Sequence, residues 1–428
     1  MVNNPEVEKK KENSVSFFLY LRWKKNFGIE EDRKVFSCDW NYPDIAEALR
    51  RRGWAENNAE GDSQYWEFRY ARKARIPEGI KDWQVLNHFP RNFELSAKWN
   101  LAGNIVKRLS GGALLHESYF PACFQMEGKG LQKFVVNFKL TFAQSILKLS
   151  ILDPSSVSNL QVHTAYNLLF RYLLKTSKKK SNPQVFHIPE TDWEDLQNTE
   201  FKFNSEECES KQEVENLLHR LSEIDPQYEL SGFRNIWILK PGRKSRGRDI
   251  KLFVSLPEIL NFIQESNFWV GQKYIENPLL INGRKFDIRQ WVLITDMNPL
   301  TIWVYQKCYI RFAAETFSFD DLGNNFKHLT NNSIAKESAE FTDVNSMWHL
   351  EQFKDYLHSE FSRDAWTESI YPKMVEIIKT VLRTPGKLLR KNSFELLGLD
   401  LMITTNLAPW LLEINTSPTM EYSTVLNI

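Results

Sequence analysis

Beyond Asn235 the spacing of apolar and polar residues shortens to that of strands. "NIWILK" (235–240), "KLFVSL" (251–256), "RKFDIRQWVLIT" (284–295), "TIWVYQKCYIRF" (301–312) and "LGLDLMITT" (397–405) are rich in β-branched and aromatic side chains. Before Asn235 the apolar positions fall mostly at helical spacing, as in residues 42–54, which Gly53 closes, 141–152 and 165–175. One further helix is predicted at "YPKMVEIIKTVL" (371–382). Helices dominating one half and strands the other define an α+β class. Three charged stretches interrupt the pattern and read as loops or linkers: "EVEKKKEN" (6–13), "KTSKKKSNPQ" (175–184) and "FNSEECESKQE" (203–213). No internal repeat is present.

Within the strand-rich half, "LLGLDLMITTNLAPWLLEINTSP" reads as an antiparallel hairpin around a short polar turn at 406–409. Pairing Thr404 with Pro409 sets Asp400 opposite Glu413, and alternation puts Asn415 on the Glu413 face. Two carboxylates facing each other among Leu, Ile, Met and Trp repel unless one is protonated or a cation lies between them. Oxygen-only donors suit magnesium, particularly magnesium shared with substrate phosphates. The plain alternative is a solvated sheet edge with unrelated charges.

"NIWILKPGRKSRGRDI" (235–250) is a strand ending in Lys240, followed by a loop with Gly242 and Gly247 among basic residues, a composition that receives anions. The two glycines have Walker A separation, but Arg248 and Asp249 stand where Lys and Ser/Thr would follow. The protein-kinase set of Gly-rich, HRD and DFG motifs is absent. A solvated basic turn is the alternative for this loop. Lys285, Asp287 and Arg289 alternate with Phe286, Ile288 and Gln290, so one strand face carries plus, minus, plus. Such a ladder is either a solvated face or, given the apolar "WVLIT" that follows, the border of a cleft.

Composition adds bounds. The 428 residues are 42% hydrophobic and carry a formal charge of +1, which describes a soluble globular chain of two or three domains with no global bias toward nucleic acid or membrane. Electrostatic targeting is therefore local, and the basic runs at 50–52, 69–75 and 178–180 are the surfaces expected to draw an acidic partner. Cys38, Cys123, Cys208 and Cys308 lie far apart without metal-ligand spacing and read as free thiols of a reducing compartment. The apolar run "SFFLYL" after the charged start is too short for a signal-peptide core or a membrane span, so an intracellular protein is expected.

"WILKPGRKSRGRDI", "QKYIENPLLINGRKFDIRQWVLITD", "YIRF", "HLTNNSIAK" (328–336), "LLGLDLMI" and "WLLEINTSP" occur in the order and spacing of the tubulin-tyrosine-ligase-like enzymes. The chain is most similar to their glycylase branch, from about Asn87 onward. The resemblance implies an ATP-grasp fold that clamps ATP between a central domain (96–275) and a C-terminal domain (276–428), with a small N-terminal domain (1–95). Lys240 would contact ATP phosphate and the adenine neighbourhood, joined by Arg246 and Gly247 of the loop and by Lys98 of "FELSAKWNLAGNI". Gln272, Lys273, Tyr274 and Ile275 would form the adenine hinge, with Lys285 and Asp287 near the ribose. Arg289, Arg311 and Asn331 would face the γ-phosphate and the acceptor carboxylate, with Thr330 beside them, and Asp400, Glu413 and Asn415 would hold Mg2+. Asp249 departs from the pattern, since relatives often have glycine there.

The implied activity is ATP-dependent attachment of a first glycine to a glutamate side chain of a tubulin C-terminal tail, through an acyl phosphate. A monomer on cytoplasmic and axonemal microtubules of cilia or flagella is expected. The alternatives are a glutamate-adding enzyme of the same family, a noncatalytic microtubule-binding relative, and a small-molecule ATP-grasp ligase.

Overall fold

A computed structural model describes residues 5–39, 42–57, 64–72, 77, 79–109, 119–177, 186–199, 209–242, 247–265, 268–342, 346–383 and 391–418. Its first element corrects a sequence expectation. The Lys/Glu run at 6–13 is not a loop but part of the helix Pro5–Asn26, as suits residues of high helix propensity. Tyr20 anchors this helix, stacking on Trp83 at 4.9 Å between ring centroids. The third charged stretch also ends in a helix: Ser210 caps Lys211–Ile224 in a capping box with Glu213, and Val214, Leu217, Leu218 and Leu221 form its buried stripe. Residues 178–184 and 203–208 of the charged stretches, Cys208 among them, lie outside the described residues; Cys38, Cys123 and Cys308 are free thiols.

Strands β1 (Val35–Cys38), β2 (Ala55–Glu56), β3 (Phe68–Tyr70) and β4 (Val85–Leu86) form a parallel sheet in the order β2-β1-β3-β4. The predicted helix at 42–54 is Pro43–Arg51, and Gly53 turns the chain out of it at φ +80°. A parallel bridge from Leu86 to Ser393 ties this sheet to the far end of the chain.

A second, antiparallel sheet runs β5-β8-β6-β7, built from β5 (Cys123–Gln125), β6 (Trp237–Pro241), β7 (Lys251–Phe253) and β8 (Trp269–Lys273). Its outer face is covered by Gly128–Leu152 and Asn159–Ser177, whose Phe134, Phe138, Leu147 and Leu168 pack with Trp237 and Leu239. Gly128–Leu152 is long and apolar enough to cross a membrane by composition, but here that apolar surface faces this core.

The third sheet holds β9 (Leu280–Ile281), β10 (Arg284–Met297), β11 (Leu300–Val304), β12 (Tyr309–Thr316), β13 (Met347–His349), β14 (Glu395–Ile403) and β15 (Pro409–Thr416). Its path is β13-β12-β10-β14-β15, with β9 and β11 also pairing with β10. The run 301–312, expected as one strand, is two: polar Gln306 and Lys307 break it, and β12 returns along the part of β10 that β11 leaves unpaired. Tyr371–Leu382 forms as predicted, laying Met374, Ile378 and Val381 against Ile288, Val292 and Leu399 of the sheet.

Register in the β14–β15 hairpin decides where its carboxylates go. Ile403, not Thr404, faces Pro409, and Leu401 faces Leu411, a register one residue off the expected one. A bulge beyond Leu411 adds one residue to β15 and brings Asp400 opposite Glu413 after all.

Candidate active site

Asp400 and Glu413 face each other across the hairpin, and the Asn415 amide donates to both, at 3.2 Å to Asp400 Oδ2 and 3.1 Å to Glu413 Oε1. Their mutual repulsion is relieved by the chain's own cations. Lys98 Nζ lies 3.0 Å from Glu413 Oε2, and Arg289 grips Asp400 through Nε at 2.5 Å and a terminal nitrogen at 3.2 Å. Arg311 reaches Asp400 at 2.8 Å while holding Asp287 in a two-point contact at 2.7 and 2.5 Å. Thr330 donates to the same Asp287 at 2.6 Å. Burial alone would raise the Glu413 carboxyl, but Lys98, Lys240 and the Asn415 hydrogen bond hold it well below the usual range. Burial pushes Asp287 the other way, against the pull of Arg311.

Between the second and third sheets Asp287, Thr330, Asp400 and Glu413 border a pocket enclosing about 640 Å³ of empty space, its open mouth included. Lys240, Gln272, Tyr274, Lys285, Asp287, Thr330, Asn331, Asp400 and Glu413 line it, together with apolar Ile238, Met402 and Leu412. The ladder on β10 is thus no solvated face: Lys285, Asp287 and Arg289 are 3%, 3% and 8% exposed. Lys240 Nζ donates to Gln272 Oε1 at 2.6 Å, while Gln272 Nε2 is buried with no hydrogen-bond partner among the described residues. Lys285 sits 3.9 Å from the Tyr274 ring centroid, and burial, then Lys240, push its ammonium down to about 7 against the pull of Asp287.

Not every expected residue points its side chain inward. Lys273 lines the pocket, but strand alternation turns its ammonium to Glu276 at 2.6 Å and to Ile236 O at 2.9 Å. Ile275 packs with Leu230, Met402 and Trp410 beneath the rim. Arg246 lies outside the described residues, as do Lys73, Arg75 and 178–180 of the basic runs. In the 50–52 run, Arg50 pairs with Glu56 and Arg51 with Glu47. Gly247 adopts φ +72°, and a Cβ there would overlap Ile334 and crowd Asn331, so glycine is required. Asp249 also has positive φ, +58°, a conformation natural to glycine that Asp tolerates better than most residues.

Two residues with site contacts escaped the sequence reading. His328 opens the "HLTNNSIAK" run and hydrogen-bonds Tyr274; Glu276 follows "QKYI" and accepts from the backbone of Arg234 and Ile236. The apolar walls carried no signal, since Ile238, Met402 and Leu412 look like any strand residues.

Donor chemistry can be matched to ligands. Among the described residues no three His, Cys, Asp or Glu side chains gather, so the hairpin offers two carboxylates and an amide, a hard oxygen set that fits Mg2+ better than a transition metal. The Gln272 Nε2 group, without a partner among the described residues and beside Ile238, Met402 and Leu412, fits a flat heteroaromatic ring with an acceptor at its edge.

An α+β protein with buried lysines, arginines and paired carboxylates in and beside one pocket presents a site suited to anions. The profile of the tubulin-tyrosine ligase family matches residues 162–428, and the chain belongs to that family. Similar relatives include tubulin glycylase 3D of Tetrahymena thermophila, 31% identical over 94% of this chain and 48% of the relative. Mouse protein monoglycylase TTLL8 is 32% identical over 92% of this chain and 59% of its own length. Mouse tubulin monoglycylase TTLL3 is 32% identical over 80% and 42%. The chain spans about half the length of the curated relatives it matches.

Proposed function

We propose that this chain is an ATP-dependent ligase that attaches the first glycine to a glutamate side chain of a tubulin C-terminal tail. The observation that carries the reading is a pocket lined by Lys240, Asp400 and Glu413, with Lys98, Arg289 and Arg311 paired to those carboxylates, in a chain similar to tubulin glycylases. In the proposed layout the central part (96–275) and the C-terminal part (276–428) clamp ATP, and 1–95 forms a small N-terminal domain.

A carboxylate is a poor electrophile. The acceptor glutamate oxygen would attack the γ-phosphorus, ADP would leave, and the resulting acyl phosphate would be attacked by the glycine amine, forming an isopeptide bond and releasing phosphate. Lys98 and Lys240 neutralise phosphate oxygens. The Gln272–Ile275 strip holds the adenine edge, where the Gln272 amide finds its acceptor, and Lys285 and Asp287 hold the ribose. Arg289 and Arg311, fixed by Asp400 and Asp287, keep further guanidinium nitrogens for the acceptor carboxylate, beside Thr330 and Asn331. Asp400, Glu413 and Asn415 would hold Mg2+, which when bound supplies charge neutralisation at the phosphates. No Ser/His/Asp set is needed.

Glycine is favoured over glutamate by the similarity to glycylases, while the further guanidinium nitrogens of Arg289 and Arg311 keep glutamate as the alternative donor. The expected setting is the cytoplasm and the axonemal microtubules of cilia or flagella, with the chain acting as a monomer. Isotopically labelled glycine, glutamate and tyrosine are competed on unmodified microtubules with ATP, and the tails are read by mass spectrometry. A single glycine per branch is expected; glutamate in its place establishes the polyglutamylase reading, and no addition of any amino acid refutes the tubulin-ligase reading, leaving ADP release with a metabolite carboxylate to separate a small-molecule ligase from a noncatalytic binder.

A further inference from the structure

Tyr274 and His328 both line the pocket but come from distant parts of the chain. Tyr274 follows β8, where its N–H donates to Ile236 O at 3.2 Å. His328 ends the short helix Asn325–His328, just before Thr330 and Asn331. Both are buried, at 3% and 2% exposure, and Tyr274 Oη lies 2.9 Å from His328 Nδ1. His328 Nε2 lies 3.1 Å from Asp321 O. A carbonyl only accepts, so Nε2 carries the ring hydrogen, Nδ1 is an acceptor, and the Tyr274 hydroxyl donates to it. Burial, then Lys285, push His328 down to about 4, which keeps this neutral tautomer at physiological pH; burial raises the Tyr274 hydroxyl far above its ordinary value, which keeps the donor. Two residues beyond His328, Thr330 donates to Asp287, itself gripped by Arg311. A line of contacts therefore joins the strip at Tyr274 to the loop beside the arginines.

We propose that the Tyr274–His328 hydrogen bond is a positioning contact through which nucleotide seated on the strip sets the loop bearing Thr330 and Asn331, so that nucleotide and acceptor carboxylate bind cooperatively. The proposal rests on the ligase reading of the pocket. His328 touches no reacting atom in it; it acts through Tyr274 and the loop. Its ring also packs edge-on against Tyr274 and Phe317, at 5.8 and 5.7 Å between centroids, so a purely structural role has to be separated from coupling.

Calorimetric titration makes that separation. A glutamate-rich peptide is titrated into the full chain with and without AMP-PNP and magnesium, and the ratio of the two affinities is the coupling. AMP-PNP is expected to tighten peptide binding. Tyr274→Phe should cut the ratio by about fivefold, the effect of one buried hydrogen bond. His328→Phe, which keeps a ring for the packing, should cut it equally, and the double variant should lose no more than either single. His328→Asn, which places a carbonyl acceptor near the Nδ1 position, should recover part of it. A ratio unchanged in both single variants, or additive losses in the double variant, overturns the proposal. A wild-type chain that binds no AMP-PNP overturns the ligase reading itself, and this inference with it.

Discussion

Replacing Glu413 by Gln tests the carboxylate pair with the least change of shape. Gln fills the same volume and keeps an oxygen for the Asn415 amide, so the β14–β15 register should hold. The charge is what goes. Lys98, 3.0 Å away with only 15% of its side chain exposed, is left facing a neutral amide. Leaving a charged donor with a poorer partner costs about 1 to 3 kcal/mol, a fall in Tm of about a few degrees in a chain this large. The sign with pH follows from the carboxyl's depressed folded-state value. A depressed carboxyl stabilises the fold above its unfolded value of 4.5 and loses that contribution as pH falls toward its folded value. The stability gap between wild type and Glu413→Gln should thus be flat from about pH 6 to 8 and close in acid. Turnover, assayed as labelled glycine on microtubules, should fall by about 10²- to 10³-fold, the range for losing one preorganised electrostatic group. Mn2+ binding in the presence of AMP-PNP, read by electron paramagnetic resonance, should weaken in parallel. A folded Glu413→Gln chain with near-normal ligation and unchanged Mn2+ affinity would refute the assignment.

Three further outcomes are expected. Arg311→Ala strips Asp287 and Asp400 of a shared buried partner and should destabilise the chain by about 3 to 5 kcal/mol in urea unfolding, with ligation abolished. Lys285 is a cation whose folded value, about 7, lies below its ordinary 10.5, so the unfolded chain binds more protons between those limits and stability should rise with pH across them; Lys285→Met should lessen that rise in urea unfolding measured from pH 7 to 10, leaving the part that Lys148, pushed down to about 8 by burial, contributes. Binding of an acidic tail peptide should weaken with salt as exposed charges are screened over about 8 to 10 Å, and Lys73→Ala with Arg75→Ala should weaken it further; binding indifferent to both refutes local electrostatic capture.

Much of the strand-rich half was legible because its patterns are short-range. Tyr371–Leu382 carries its own apolar stripe, and β10 its own alternation. The errors fall where charge density stood in for a loop. Glu and Lys are as content on a helix surface as in a linker, so residues 6–13 could not be assigned by polarity, and the capping box that starts Lys211–Ile224 sits inside a stretch read as a linker. The division of 301–312 into β11 and β12 turns on two polar residues whose effect appears only once β10 is long enough to pair with both.

The hairpin shows how a correct juxtaposition can follow from an incorrect register. Counting back from the turn with Thr404 against Pro409 places Asp400 opposite Glu413; the real turn begins one residue earlier, and the bulge after Leu411 restores the pair. A bulge leaves no composition signal here, since Leu411 and Leu412 are both ordinary strand residues. Its value is local: an unbulged β15 would face Asp400 with Leu412 and turn Glu413 to the opposite side of the sheet, away from Lys98. The cations were harder still to foresee. Apposed carboxylates call for a proton or a cation between them, and the chain supplies Lys98 from far upstream and two arginines from β10 and β12 of the same sheet. Because Lys98 and a metal ion compete for the same Glu413 oxygens, displaced Lys98 would be freed as phosphate arrives, and loading of metal and nucleotide should be mutually reinforcing. Magnesium titrated into the nucleotide-free chain should accordingly bind weakly, and Lys98→Met should tighten Mn2+ binding without nucleotide while weakening AMP-PNP; a Lys98→Met chain with unaltered Mn2+ affinity would show that the ion pair does not guard the site.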